Sequence, residues 1–313
     1  MSRIGRIAVV RRFGPPEAIT LEEHPAPPVG PGQVQVAVRT GGLNPVDARL
    51  RSGTFGGSVP MALGTELAGV VVESGDPSWK VGDEVIGWGA QGADADLVTV
   101  PGTRLHAKPS QLGWALAGGL GGVGSTALTA LDAVSPAPGD VVVVHGAAGG
   151  VGTVLVQLAV ARGLTVIGTA SSANQAHVAG LGALAVEYGP GLAGRIADAA
   201  QGRPVVASID LAGSTDAGEV AVAVVAGGGQ AITLVPETTQ SHGIHLVRVQ
   251  RSQTAMATLL DAVTRGDLVL PVETLPLTEI VEAHRRLDAK HARGKLVLDV
   301  SDNPHLPRTD GDA

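Results

Sequence analysis

Apolar residues follow two different patterns along this chain. Before about residue 115, short apolar runs such as residues 34–39 alternate with polar positions and are separated by proline and glycine, as at residues 25–32. Such runs predict the short strands of a barrel-like β unit. From residue 115 onward, alanine- and leucine-rich stretches alternate with runs of β-branched residues, which predicts helices that connect parallel strands.

The second pattern predicts a doubly wound parallel sheet. Its expected strands are residues 141–144, 164–169, 184–188, 205–210 and 230–234, with helices between them at about 151–162, 173–180 and 192–200. Residues 266–300 return to short strands around one helix at 278–288, and we expect them to complete the first unit. The chain is therefore divided into residues 1–118, 119–262 and 263–313, with a polar, disordered tail from residue 302.

Residues 141–153 predict a nucleotide site. Four valines are followed by small residues and an apolar-periodic run, which is the pattern of a strand, a tight turn and a helix. Ala147, Gly149 and Gly152 match the spacing G-x-G-x-x-G with alanine in the first place. Gly149 lets backbone amides approach a pyrophosphate, and Gly152 lets the helix pack close to the strand. The predicted site comprises Ala147, Ala148, Gly149, Gly150, Val151 and Gly152.

The same spacing also occurs earlier in the chain, at Gly119, Gly121 and Gly124. No β-branched run precedes these glycines, whereas a phosphate-binding copy requires a strand before it and a helix after it. We therefore expect close packing or a mobile loop at this copy and not contact with a nucleotide.

The preferred dinucleotide is predicted to be NADP(H). In a NAD site an acidic residue at the end of the second strand binds the ribose hydroxyls, and no Asp or Glu occurs between Asp140 and Glu187. Ser171 and Ser172 follow that strand, and their hydroxyls can donate to a 2′-phosphate without repelling it. The alternative is that these serines only cap the next helix.

Composition excludes several classes of function. The 313 residues are 44% hydrophobic and 16% charged, and their net charge of -7 and 2% aromatic content disfavour nucleic-acid binding. There is no cysteine, which removes disulfides, thiolate metal ligands and thiol nucleophiles. Without a signal peptide or an apolar run of about 18 residues, we expect a cytoplasmic protein with no membrane partner.

Five short motifs together resemble a known family. They are residues 42–47 (GLNPVD), 63–71 (LGTELAGVV), 81–85 (VGDEV), 145–152 (HGAAGGVG) and 293–298 (RGKLVL). In this order they are similar to the zinc-independent quinone oxidoreductase branch of the medium-chain dehydrogenase/reductase superfamily. The resemblance covers about residues 6–300. It implies an α/β fold with a GroES-like β-barrel catalytic domain built from both chain ends, a Rossmann domain between them, an active site in the cleft, and a homodimer.

The resemblance also bears on metal binding. Zinc-dependent relatives carry Cys at the position of Asn44 and His at that of Thr65, and neither residue here offers a thiolate or an imidazole. We therefore expect no catalytic metal. Hydride transfer then requires only that the cofactor and the substrate be held in contact, because the cofactor carries the chemistry.

The resemblance implies roles for individual residues. Asn44 would lie beside the nicotinamide and the substrate, with Asp47 nearby, so both are candidate catalytic residues, and Asn44 would stabilise charge on a substrate carbonyl. The alternative is that both residues only form a turn. The further cofactor contacts are Thr129 (alternatively a helix cap) at the nicotinamide amide, Tyr188 near the adenosine phosphate, Thr233, Leu234 and Val235 at the carboxamide, and Lys295 as a positive charge.

The expected function is that of an NADPH-dependent oxidoreductase that transfers hydride to a quinone or an α,β-unsaturated carbonyl without metal. The alternatives are an enoyl-thioester reductase and a non-catalytic NADPH-binding sensor protein. Residues 94–97 are Asp-Ala-Asp-Leu where the family commonly has Tyr-Ala-Glu-Tyr, so we expect the residues that border the substrate to differ.

Overall fold

A computed structural model describes residues 3–289 and 293–307 of the chain. The chain forms two compact units, one of Met1–Gly122 with Val272–Ala313 and the other of Val123–Pro271. The divisions thus fall after residues 122 and 271, where the sequence pattern predicted them after residues 118 and 262.

Short strands occupy both ends of the chain, and strands alternate with helices in its middle. The strands are β1 (Ile4–Val10), β2 (Ile19–Pro25), β3 (Gln33–Gly42), β4 (Met61–Ala62), β5 (Glu66–Ser74), β6 (Glu84–Trp88), β7 (Leu97–Pro101), β8 (Leu105–Ala107), β9 (Val141–His145), β10 (Thr165–Ala170), β11 (Leu184–Glu187), β12 (Val205–Asp210), β13 (Gln230–Thr233), β14 (His245–Leu246), β15 (Val272–Pro276) and β16 (Lys295–Asp299). The helices are α1 (Pro45–Ser52), α2 (Trp114–Val134), α3 (Gly150–Ala161), α4 (Gln175–Gly180), α5 (Leu192–Ala200), α6 (Thr215–Ala223), α7 (Pro236–His242), α8 (Gln253–Thr264) and α9 (Ile280–Ala289). Within the described residues, no helix combines the length and the apolar character needed to cross a bilayer.

The first unit is organised around β3. This strand is antiparallel to β5, β7 and β16, and its Gly42 lies opposite Val297 of β16. The pairing places the last strand inside a seven-stranded sheet, and a separate sheet contains β1, β2 and β4. Apolar residues from both ends of the chain, among them Val36, Leu67 and Leu298, share one core. The barrel-like unit predicted from the sequence pattern is confirmed.

The second unit contains a six-stranded parallel sheet in the order β11-β10-β9-β12-β13-β14. The four valines at residues 141–144 of β9 are at most 2% exposed, because helices cover both faces of such a sheet. This is the strand order of dinucleotide-binding α/β folds, so the predicted doubly wound sheet is confirmed. Ligands of these folds bind at the carboxyl ends of the strands where the order reverses, which here means β9 and β12.

The segment at residues 302–307 contradicts the prediction of a disordered tail. Asn303 is buried, and its side-chain amide donates to the backbone oxygens of Val38 and Asp96 at 2.8 and 2.7 Å. These acceptors are more than 200 residues away in the sequence, so the local polar composition does not reveal the contact. The rest of the predicted tail, residues 308–313, lies outside the described residues.

We expect Asn303→Ala to lower the free energy of unfolding by about 1–3 kcal/mol, because it removes both donors from buried carbonyl groups. Urea unfolding followed by circular dichroism measures the change. Ser301→Ala is the control, since Ser301 is exposed and the backbone amide that it donates to Asp299 is retained in the variant. Equal unfolding midpoints for the two variants would contradict the prediction.

Candidate functional site

The loop between β9 and α3, residues 146–152, presents backbone amides and is called the amide loop below. Gly146 has a φ of 76°, a left-handed conformation that glycine adopts without strain, and it turns the chain away from the strand. Gly149 donates to Gly146 O at 3.2 Å, and α3 then begins with no side chain capping its first turn. The first amides of a helix have no intrahelical acceptor, so those of Gly150, Val151 and Gly152 form a donor set suited to phosphate.

Gly149 and Gly152 serve different purposes in the amide loop. A Cβ atom on Gly152 would lie 2.3 Å from Gly146 O and 2.6 Å from Ala147 Cα, so only glycine lets α3 approach the loop this closely. A Cβ atom on Gly149 would meet Gly146 O at an ordinary 3.5 Å. Ala147 and Ala148, which also belong to the amide loop, are buried. The fold itself therefore requires Gly152, whereas the space beside Gly149 can accept a ligand.

We expect Gly152→Ala to destabilise the ligand-free protein by about 3 kcal/mol, because the added methyl group must displace backbone atoms. Gly149→Ala should leave the melting temperature nearly unchanged. Differential scanning calorimetry of the two variants tests this. Equal melting temperatures would show that α3 does not pack against the loop through Gly152.

Thr233 belongs to a buried network at the carboxyl edge of the parallel sheet. Its hydroxyl donates to Asp210 Oδ2 at 2.9 Å, and Thr238 donates to the same oxygen at 2.8 Å. Asp210 Oδ1 accepts two backbone amides of the following turn, so both carboxylate oxygens are satisfied. Leu234 and Val235 lie half-buried just beyond β13. The predicted carboxamide contact would therefore come from the backbone here, since the Thr233 hydroxyl is already engaged.

Ser171 and Ser172 lie where β10 ends. Ser171 is at the N-cap position of a short helical turn, but its side chain makes no capping bond and accepts a hydrogen bond from Asn174 Nδ2 at 3.2 Å. Capping by Ser171, one of the two alternatives, is therefore not observed. Tyr188 is 57% exposed, and its backbone amide donates to Ala170 O at 3.2 Å, which places it beside the same strand end.

Arg195 of α5 is a cation that was not among the sequence candidates. Its guanidinium donates to backbone oxygens in residues 187–190 at distances between 2.7 and 3.1 Å. β10 and β11 end in register, with Ala170 opposite Glu187. Arg195 therefore lies one strand away from Ser171. Strand pairing brings the two together, and no local motif signals it.

Thr129 lies inside α2, so the alternative of a helix cap is wrong. Its hydroxyl donates to Ser125 O at 2.7 Å and accepts the backbone amide of Gln250 at 3.0 Å. These bonds fasten the segment after β14 to α2. The implied contact of Thr129 with a nicotinamide amide stays a prediction.

The two catalytic candidates lie in a buried polar cluster of the first unit, which consists of Asn44, Asp47, Glu66, Asp94 and Lys295. Each of the five residues is at most 9% exposed. Asn44 precedes α1, and its backbone amide donates to Asp47 Oδ2 at 2.7 Å. The segment is therefore the start of a helix, and the alternative of a plain turn does not hold. Their catalytic roles stay a prediction.

Lys295 holds the polar cluster together. Its Nζ donates to Leu43 O at 2.7 Å and to Asn44 Oδ1 at 2.6 Å, and it forms an ion pair with Glu66 Oε1 at 2.6 Å. The Asn44 amide donates to Glu66 Oε1 at 3.0 Å and to Gly42 O at 3.3 Å. Each hydrogen of the ammonium group thus has an acceptor within the first unit, and the contact of Lys295 with a cofactor stays a prediction.

Charge is unbalanced in the polar cluster. Three carboxyl groups share one cation, and full ionisation would bury a net charge of about -2 (three negative charges and one positive), which is very costly. Burial is the main cause that raises the pKa of Asp47, to about 7, and that of Asp94. The neighbouring charge of Asp47 raises the pKa of Asp94 further, and neither oxygen of Asp94 has a hydrogen-bond partner.

Glu66 and Asp94 were not among the sequence candidates. Glu66 stands inside the motif at residues 63–71, and Asp94 lies in the segment that departs from the family pattern. For Asp94, one sequence feature indicated burial: it stands between two small apolar residues, Ala93 and Ala95. Such a residue becomes buried with its neighbours, but its partners come from distant segments and cannot be read locally.

The glycines near the start of α2 pack against the polar cluster. A Cβ atom on Gly119 would lie 2.8 Å from Lys295 Cγ, and one on Gly122 would lie 2.8 Å from Asn44 Oδ1. Gly119, Gly121 and Gly124 lie within a helix and not at a turn between a strand and a helix. Of the two alternatives, close packing is observed and a mobile loop is not, whereas the expected lack of contact with a nucleotide stays a prediction.

A buried histidine anchors α1, the helix that carries Asp47. Arg51 donates to His284 Nδ1 of α9 at 3.1 Å and forms an ion pair with Asp288 at 2.7 Å. Because guanidinium is only a donor, Nδ1 must accept and the ring is neutral. Burial, followed by the charge of Arg51, lowers the pKa of His284 to about 3.

We expect His284 to contribute a loss of stability of up to a few kcal/mol as the pH drops from about 6.5 toward 3, because the unfolded chain binds a proton on this residue and the folded chain does not. Above pH 6.5 both states are neutral and the contribution is complete. His145, whose pKa burial lowers to about 4, adds to the same loss. Urea midpoints across this range should depend less on pH in His284→Gln than in wild type, and identical slopes would contradict the prediction.

Comparison with known proteins finds similar families. A family model described as the alcohol dehydrogenase GroES-like domain matches residues 30–138, and one described as zinc-binding dehydrogenase matches residues 181–298. The chain is 35% identical over 174 residues to a probable quinone oxidoreductase of Schizosaccharomyces pombe, and the match covers 54% of this chain and 53% of the relative. The chain spans about half the length of the relatives that it matches by sequence.

Solved structures match nearly the whole chain. The quinone oxidoreductase from Coxiella burnetii has a TM-score of 0.85 at 29% identity, covering 95% of this chain and 100% of that one. The mycobacterial Rv1454c complexed with NADPH has a TM-score of 0.82 at 27% identity, covering 94% and 99%. The expected combination of a GroES-like domain and a Rossmann domain is confirmed. Across residues 3–289 and 293–307, no group of three or more His, Asp or Glu side chains is arranged to hold a metal ion.

Proposed function

Because this chain belongs to the quinone oxidoreductase-like branch of the medium-chain dehydrogenase/reductase superfamily, we propose that it is an NADPH-dependent oxidoreductase that transfers hydride to a quinone or an α,β-unsaturated carbonyl compound. The observation that carries the proposal is the amide loop at the carboxyl end of β9, in a sheet with dinucleotide-binding strand order. The names of the relatives and the NADPH in the mycobacterial structure support it.

The amide loop fits a dinucleotide diphosphate, because its helix start lacks a side-chain cap and the space beside Gly149 is open. A bound nicotinamide cofactor would supply the hydride. Residues 147–152 would hold its diphosphate, Thr129, Leu234 and Val235 its nicotinamide end, and Tyr188 its adenosine end. The chain's own task is to fix these two ends relative to the sheet and to exclude water from the reacting atoms.

The proposed preference for NADPH over NADH is based on the residues that follow the end of β10. The Ser171 hydroxyl is not used for capping, and no acidic residue follows β10 before Glu187. Glu187 is exposed at the end of β11, and its charge opposes a 2′-phosphate. The guanidinium of Arg195, which is bonded to the backbone oxygen of Glu187, offsets that charge at the same edge.

In the first unit, Asn44 is the member of the polar cluster that would meet a substrate carbonyl. Its amide hydrogens are engaged with Glu66 and Gly42, so a substrate oxygen would replace the longer bond, that to Gly42 at 3.3 Å. Lys295 polarises the amide through its bond to Asn44 Oδ1. Stabilisation of negative charge by such a donor typically contributes about 3 kcal/mol.

Two other functions are compatible with the same fold, and they differ from the proposed function in the substrate on which the protein would act. An enoyl-thioester reductase would act on crotonyl thioesters, and a sensor protein would bind NADPH without turnover. The homodimer and the cytoplasmic location stay predictions.

We expect the protein to consume NADPH with small quinones or enones, followed by the loss of NADPH absorbance. It should bind NADPH at least tenfold more tightly than NADH, about 1.4 kcal/mol, by fluorescence titration. Gly149→Val should abolish binding of both, because its side chain would fill the space beside the amide loop while the fold persists. Gly194→Val, on an exposed face of α5 where an added Cβ meets no atom within 4 Å, is the matched control.

Each other outcome selects a different conclusion. Turnover of crotonyl thioesters without turnover of free enones or quinones selects the enoyl-thioester reductase. Tight NADPH binding with no turnover selects the sensor protein, and NADH binding tenfold tighter reverses the cofactor assignment. A folded protein that binds neither nucleotide contradicts the proposal.

A further inference from the structure

The polar cluster holds more acid than hydride transfer requires, and we propose that Asp47 and Asp94 share a proton there and supply it to the substrate once hydride has been transferred. The inference rests on the proposed function. Reduction of an enone or a quinone adds a proton as well as a hydride, so the site needs a proton donor as well as a hydride donor. The cluster would be that donor, with Asp47 as the catalytic acid and Asp94 as a positioning residue that acts through it.

Glu66 is the carboxyl group of the cluster that is ionised. It pairs with Lys295 at 2.6 Å, accepts the Asn44 amide at 3.0 Å and accepts the backbone amide of Gly122 on its other oxygen. Three donors, one of them charged, converge on its two oxygens and favour the carboxylate. The single cation of the cluster is therefore already paired, and Asp47 and Asp94 must be accommodated without a second one.

Asp94 has the opposite surroundings. It is fully buried, and no donor in the described structure reaches either of its oxygens. The charged groups that face it are Asp47 of α1, Glu66 of β5 and Lys295 of β16. Two of these are acids, and the third, Lys295, already forms an ion pair with Glu66. A buried carboxylate without donors is very costly, whereas the protonated acid carries its own O–H donor. Asp94 is therefore the neutral acid of the cluster.

The surroundings of Asp47 are intermediate between those of Glu66, which has three donors, and those of Asp94, which has none. Its Oδ2 accepts the Asn44 backbone amide, whereas its Oδ1 is buried without a partner. The Thr65 hydroxyl faces Asp47 and is likewise a buried polar oxygen that needs a partner. The charged groups around Asp47 are Lys295, which favours its ionised form, and the acids Glu66 and Asp94, which disfavour it. Two interacting acids with unpaired oxygens in one buried cluster share a proton at neutral pH, and the Thr65 hydroxyl that faces Asp47 can relay it.

The proton step balances without any further reactant. After hydride transfer to an enone or a quinone, the added electron pair leaves a negative charge on the substrate oxygen. The O–H bond of the Asp47 carboxyl breaks, its proton passes through the Thr65 hydroxyl, and a new O–H bond forms on the substrate. The pair is then left without its shared proton, and solvent restores one proton to Asp47 and Asp94 after the product leaves.

Infrared spectroscopy of the cofactor-free protein detects the shared proton directly. We expect the C=O stretch of a protonated carboxyl group in wild type at neutral pH, and its loss as the pH rises. The band should be absent or reduced in Asp47→Asn and Asp94→Asn and retained in Asp198→Asn, a control at an exposed carboxylate of α5. A wild-type spectrum without this band overturns the proposal.

Kinetics test the delivery of the proton. In wild type, kcat should fall as the pH rises through neutrality, because the protonated pair is the active form. Asp47→Asn should lower kcat by about 100-fold with little change in KM, and Asp94→Asn should shift or remove the pH-dependent limb. Unchanged pH profiles in both variants overturn the proposal.

Melting temperatures show whether each variant is folded, and the direction in which they change with pH is an independent test of the shared proton. The folded state holds a proton that the unfolded chain releases above its lower pKa, so stability is lost as the pH rises through the folded pKa. Asp94→Asn removes this loss of stability and should therefore melt at a higher temperature than wild type at alkaline pH. A lower melting temperature than wild type would contradict the protonation of Asp94. A wild type that shows the infrared band but no turnover refutes the proposed function and the delivery step, whereas turnover without the band refutes the shared proton alone.

Discussion

The ammonium group of Lys295 is the contact on which the first unit most depends. It comes from β16 near the end of the chain, and its acceptors are Leu43, Asn44 and Glu66, more than 220 residues earlier. β16 lies between β15 and β3, so the same strand that brings the cation also completes the sheet. Removing the cation would leave Glu66 as a buried carboxylate without a charged partner, a change that typically costs about 3–5 kcal/mol. Strand pairing and charge pairing thus require the same arrangement of the two chain ends.

That single cation also sets the chemistry of the polar cluster. Because its three hydrogens are used within the first unit, only Glu66 forms an ion pair with it, and Asp94 has no hydrogen-bond donor. Burial then raises the pKa of both remaining acids, Asp47 and Asp94, since a neutral carboxyl group is far cheaper to bury than a carboxylate. The same positive charge polarises the amide of Asn44 through its oxygen. One lysine therefore connects the stability of the barrel, the protonation of two acids and the donor strength of the candidate substrate contact.

The second unit depends on a contact between backbone atoms. Gly152 lets α3 lie against Gly146 and Ala147 at distances that no other residue allows, and this close approach points the first amides of the helix toward the end of the sheet. The contact lies within the seven residues 146–152, so one short stretch of sequence contains all of it. The candidate site of the first unit is assembled from four separate segments, and no single stretch of sequence describes it.

This difference explains what the sequence alone determined. The strand at residues 141–144, the glycine loop after it and the alternation of strands and helices are local patterns, and they predicted the doubly wound sheet and its nucleotide site because periodicity and close packing act over a few residues. The helix after Asn44 was not predicted, although Asn44, Pro45, Asp47 and Gly53 are a complete set of helix start and stop signals.

Only the tertiary structure decided which distant groups meet. It placed Arg195 at the end of β11, one strand away from Ser171, and bonded Asn303 to the barrel. It also brought Glu66, Asp94 and Lys295 together around the two catalytic candidates. Hydrogen bonds and charges act between atoms that are close in space, and strand pairing sets that proximity. The protonation of a buried acid depends on every neighbour that folding delivers, so no local pattern of residues contains it.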